Sequence, residues 1–170
     1  KFMNIDWSKM DMRVSRTEIK KSHERLQQLT TPLLNLSKKQ LEQLPVSEYF
    51  LDELKQLASI SSGGAKNRQI KRVGKLIIEE DHHKLIAALF ELLFTPEQIA
   101  KINPWFTRLN INDDSVLKQF VKQYKACEYN TLYQLLLWIE YAKHLNDDEL
   151  LLESQTDFDS YIKEVAILSK

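Results

Sequence analysis

The chain has 170 residues, enough for one domain or two small subdomains, and its 43% hydrophobic and 28% charged content excludes a disordered polymer. Its 24 basic and 24 acidic side chains cancel, which argues against a uniformly basic nucleic-acid binder. Residues 1–85, however, hold 16 basic and 11 acidic side chains, and residues 86–170 hold 8 and 13, so a net +5 faces a net −5. Such asymmetry between halves points to a polyanion partner or an acidic tail. Cys127 is the single cysteine, so no internal disulfide can form and a reducing, cytoplasmic setting is expected. No apolar run approaches the ~18 residues of a membrane span, and no signal-peptide-like run opens the chain. Three glycines and four prolines are too few for a turn-rich β fold or a Rossmann-type phosphate loop.

In chain order, the elements read as helices. Ser15-Arg16-Thr17-Glu18 has the form of a capping box, and Ile19, Leu26 and Leu33, with Leu29 and Leu36, form one apolar stripe behind it. Pro32 predicts a kink or break near Thr31. Ser37-Lys38-Lys39-Gln40 offers a second capping box, opening a short helix through Leu44. Ser47 can cap a third helix carrying Phe50, Leu51, Leu54, Leu57 and Ala58. The flexible Ser61-Ser62-Gly63-Gly64 precedes a basic helix bearing Lys66, Arg68, Lys71, Arg72 and Lys75, with no acidic residue from 65 to 78. Asp81 caps a helix over 85–94, and Thr95-Pro96-Glu97-Gln98 combines an N-cap, an N1 proline and a capping-box glutamine. Asn103-Pro104 ends or bends that element. Asp113 or Asp114 starts a helix through Tyr124, Asn130 caps one over 131–144, and Asp157 caps a last one over 158–168. Between the last two, residues 146–159 hold six acidic side chains and no basic one. No alternating run is long enough for a strand, so the fold class is all-α and multi-helical, with a domain boundary around 78–84 or 95.

Few constellations support chemistry. Glu79-x-x-His82 has the spacing of a di-iron ligand pair, but a second such motif is missing and a polar turn is the expected reading. One cysteine and four scattered histidines make no zinc set. Gly74-Lys75 lacks the strand, the first glycine and the Ser/Thr of a phosphate loop; Gly74 instead predicts a close helix crossing. Cys127 and His144 have no third orienting group, so Cys127 is expected as a structural, buried thiol. No enzyme, metal, cofactor or small-molecule substrate is expected.

The basic run remains. Arg68, Lys71, Arg72 and Lys75 fall within an arc of roughly 100° on a 3.6-residue helix, opposite Ile70, Val73 and Ile77. Lys66 would point to the apolar side and is expected at a frayed helix start. A second basic group, Arg13, Arg16, Lys20, Lys21 and Arg25, is diluted by Glu18 and Glu24. An unbalanced face of this kind suits neutralisation of a phosphate backbone, which positions a protein without reading sequence.

Three blocks carry a family resemblance. Residues Val14-Ser15-Arg16-Thr17-Glu18-Ile19-Lys20-Lys21 resemble the V-S-K-S-E-I-K-R opening of the DarP family of bacterial ribosome-associated proteins. Residues 36–46 resemble its L-x-K-x-x-L-x-x-L/I-P-L turn through Leu41, Leu44 and Pro45. Residues 67–76 are similar to its R-R-Q-L-Q-x-I-G-K-L/M signature at Arg68, Gln69, Gly74 and Lys75. The likeness is clear over 14–80 and continues as a helical pattern to about His144; the acidic 146–159 segment looks like an addition. The resemblance implies two small helical-bundle subdomains, taken here as 14–80 and 81–170 after an extension over 1–13. It also implies a non-enzymatic factor of late large-subunit assembly, which binds ribosomal RNA and promotes maturation of the peptidyl transferase centre. The partners implied are the large subunit, its RNA and other assembly factors, with no membrane. On this likeness Lys20, Arg68, Gln69 and Lys75 are expected to face RNA, with Lys21, Lys66, Lys71 and Arg72 as neighbours of the right charge. The alternative is a helical protein-interaction module without RNA binding, its groove lined by Phe90, Phe94, Trp105 and Phe106.

Overall fold

The computed structural model describes residues 5–170, and these are helical, with turns and loops between the helices and no strand among them. The chain divides into two compact units: Arg16–Leu93, and Phe94–Lys170 joined by the described residues before Arg16.

The first unit holds α1 (Arg16–Gln28), α2 (Thr30–Leu34), α3 (Lys38–Leu41), α4 (Glu48–Ser59), α5 (Gly64–Leu76), a 3-10 turn (Ile77–Glu79) and α6 (His82–Leu93). The proline break lies at Leu29 rather than near Thr31, because the ring of Pro32 collides with the carbonyl four residues back, at Gln28. Ser37 and Gln40 form the predicted capping box, and Ser47 Oγ accepts from Phe50 N at 3.1 Å. Glu80 secures the same start, accepting from Ser47 N at 2.6 Å and Ser47 Oγ at 3.1 Å. Asp81 does cap the next helix, which begins at His82, earlier than the expected 85.

Leu29, Leu33, Leu54, Leu57, Val73, Ile77, Leu85 and Leu89 are buried. Each removes an aliphatic side chain from water, at about 1.5–3 kcal/mol apiece. The apolar stripe of α1 is buried only from Leu26 onward; Ile19 is 45% exposed. The reason is where α1 crosses α5. A Cβ on Gly74 would lie 3.3 Å from Gln27 Cγ, so the close approach expected of Gly74 occurs at the C-terminal end of α1, two turns past Ile19.

In the second unit a 3-10 turn (Trp7–Lys9) precedes α7 (Pro96–Ile102), α8 (Pro104–Arg108), α9 (Asp114–Gln123), α10 (Tyr129–Leu145) and α11 (Asp148–Leu168). Thr95 and Gln98 form the predicted capping box and Asp113 caps α9. Trp105 meets Phe120 edge-on at 5.2 Å, and Phe120 stacks on Tyr124 at 4.6 Å. Cys127 is buried and its Sγ accepts from Tyr161 Oη at 3.7 Å, in a structural setting.

Two expected boundaries are corrected. Asn130 lies inside α10, whose N-cap position is Glu128. Asp157 does not start the last helix; α11 already begins after Asp147, whose side chain accepts from Leu150 N at 3.0 Å. The acidic segment is therefore helical from Asp148 onward. Its first acids, Asp148 and Glu149, sit where free N–H groups and the helix dipole favour negative charge. Asn146, left-handed at φ 53°, ends α10 and lets α11 turn back against it.

Candidate nucleic-acid interface

Helix α5 is packed on two flanks and open on a third. One flank meets α1 at Gly74, and another meets α4 through Gln69. Gly63, at φ 92°, occupies the N-cap position and turns the chain from α4 into α5 in a conformation that other residues adopt at a cost. With Val73 and Ile77 buried, helical geometry sends Arg68, Lys71, Arg72 and Lys75 to solvent together, and all four are exposed. Among the described residues Arg68, Lys71 and Lys75 form no ion pair, so their charges are offered outward.

Lys20 is exposed on α1. Lys21 is half-buried, with its Nζ 3.7 Å from Glu18, and so is partly neutralised. Lys66 is helical rather than frayed and half-buried, lining a shallow depression with Thr31, Leu34, Asn35, Leu57 and Ala58. Lys21 and Lys66 are thus less available than the exposed Arg68, Lys71, Arg72 and Lys75.

Gln69, expected to face RNA, is instead 8% exposed and turned into the unit. Its Nε2 donates both to the Glu53 carbonyl, at 3.0 Å, and to Glu53 Oε2, at 2.7 Å. Both amide hydrogens are thereby used, which is what burying that group requires. Arg72 Nε donates to the same Glu53 oxygen at 3.0 Å, and Arg72 Nη2 donates to Tyr49 Oη. The bonds from Gln69 and then Arg72 hold the Glu53 carboxyl below its ordinary range, and the bond to Glu53 raises the Arg72 guanidinium above its own.

Tyr49 and Glu53 were not singled out by sequence reasoning. They stand four apart on α4, while Gln69 and Arg72 stand three apart on α5, so each pair shares a helix face. That spacing was readable; that the two faces meet was not.

Glu79 ends the 3-10 turn and His82 begins α6, so the pair is not on one helix, and no cluster of three metal-ligating side chains occurs among the described residues. Of the proposed groove, Phe90 and Trp105 are 1% and 6% exposed and belong to the interior. No helix among the described residues is long and apolar enough to cross a membrane.

The chain matches the family described as dual-action ribosomal maturation protein DarP over residues 12–150. It is 31% identical over 137 residues to the protein of that name from Proteus mirabilis, covering 78% of this chain and 73% of that one. The protein of that name from Nitrosomonas eutropha is 29% identical over 147 residues, covering 84% and 83%. That from Actinobacillus succinogenes is 25% identical over 174 aligned positions, covering 96% and 94%. No solved structure matches the chain.

Proposed function

The chain belongs to the DarP family of ribosomal maturation proteins, and we propose that it acts in late assembly of the large ribosomal subunit by laying the outer face of α5 on ribosomal RNA. One observation carries this: Arg68, Lys71 and Lys75 stand exposed, without ion pairs among the described residues, on a helix whose other flanks are packed. Such charges displace condensed counterions from a phosphate backbone, a gain that needs no catalysis. Lys20 on α1 is a further exposed cation in the same unit. Arg72 belongs to the face but shares its charge with Glu53. Binding in this way would favour one arrangement of immature RNA over others, which is how a non-enzymatic factor promotes maturation of the peptidyl transferase centre. The working place is then the cytoplasm, with the large subunit as partner.

Sedimentation of large-subunit precursors tests the proposal. The wild-type chain is expected to co-fractionate with them and to be released as salt rises from about 50 to 200 mM. An Arg68→Glu, Lys75→Glu double variant that co-fractionates as well as wild type overturns it.

A further inference from the structure

We infer that Tyr49 and Arg72 form a fixed platform on which an unpaired RNA base stacks, held in place by Glu53 and Gln69. The inference rests on the RNA contact proposed above and names the part of the RNA that meets this end of the face.

The cations of the face are not alike. Arg68, Lys71 and Lys75 are long, exposed side chains with no ion pair among the described residues, suited to a phosphate backbone that presents many equivalent oxygens. Arg72 is held. Its Nε is bound to Glu53 and its Nη2 to Tyr49, while Glu53 is itself pinned by the buried amide of Gln69. An arginine that serves only as a point charge has no need of such a chain of bonds, and Glu53 weakens the attraction for phosphate. What the arrangement supplies is orientation. The guanidinium carbon lies 5.9 Å from the centre of the Tyr49 ring, and its side chain is still 52% exposed. Tyr49 is itself 53% exposed, among the few large apolar side chains left in solvent. An aromatic ring beside a planar guanidinium, at the edge of a basic face, is the pairing on which unstacked bases lie in single-stranded RNA recognition. Duplex RNA keeps its bases stacked on one another and cannot use the platform. Gln69 thereby acts as a positioning residue: it orders Arg72 through Glu53 without touching RNA.

The full chain is titrated with a 12-nucleotide single-stranded RNA and with a 12-base-pair RNA duplex at one salt concentration. Tyr49→Ala, at an exposed position, is expected to weaken single-strand binding about tenfold and duplex binding less than twofold. Tyr49→Trp is expected to restore the single-strand affinity, since it returns a flat ring. Glu53→Ala is expected to weaken single-strand binding although it removes a negative charge; a simple charge effect has the opposite sign. Single-strand binding unchanged in Tyr49→Ala, or equal losses on both RNAs, overturns the platform. A wild-type chain that binds the duplex but not the single strand overturns the platform and leaves the phosphate contact standing. A wild-type chain that binds neither overturns both.

Discussion

Helices α5 and α11 each carry a run of one charge sign, yet their charges have different uses. On α5 the cations lie past the buried flanks, and three of them, Arg68, Lys71 and Lys75, form no ion pair among the described residues. On α11 the acids serve the helix itself: Asp147 caps it, Asp148 and Glu149 fill its first turn, and Asp159 pairs with Lys163 at 3.1 Å. A charge run is therefore not by itself a binding surface. It is a candidate for one where local capping and pairing leave the charges unspent.

The largest effect that would break this contrast is in RNA affinity. Arg68→Glu with Lys75→Glu is expected to reduce binding of RNA by about 100-fold or more near 100 mM salt and to flatten the salt dependence, read by filter binding. Charge reversal at Asp148 and Glu149 is expected to move that affinity less than twofold. Next comes packing: Gly74→Leu forces a branched side chain against Gln27 and is expected to cost about 1–3 kcal/mol, seen as a lower midpoint in urea. Asp147→Ala removes the cap of α11 and is expected to cost ~1 kcal/mol with RNA binding unchanged, which separates the capping acid of α11 from the exposed cations of α5. The smallest effect is a titration. The hydrogen bond to Asp114 pushes the Tyr129 hydroxyl up to about 12. A raised value of this kind stabilises the fold fully below pH 10 and is lost as pH rises towards 12. Asp114→Asn is expected to bring the phenol back towards 10 in an ultraviolet titration.

Much of the fold was legible because it is written over three or four residues. Ser37, Ser47, Thr95 and Asp113 cap the helices they were expected to cap, since each pairs a short oxygen side chain with an N–H two or three positions on. Gly74 stood out because glycine in mid-helix has a propensity cost that only a close contact offsets. The failures share a cause. Asn130 and Asp157 are good caps by composition, but α10 and α11 pack along each other and extend beyond them, to Tyr129 and Asp148. Tertiary packing outweighs a cap worth about 1 kcal/mol.

The candidate site divides along the same line. The sequence by itself determined that four cations share one side of α5, because helical periodicity needs no partner. Only the tertiary structure decided what each one meets. It turned Gln69 inward, tied Arg72 to Glu53 and Tyr49, and left Arg68, Lys71 and Lys75 open. Those ties join residues 16, 19 and 23 positions apart on two helices. A contact across that distance depends on how α4 and α5 are set against each other, and the packing of buried side chains such as Leu54, Leu57 and Val73 sets that, not the polar residues that meet there.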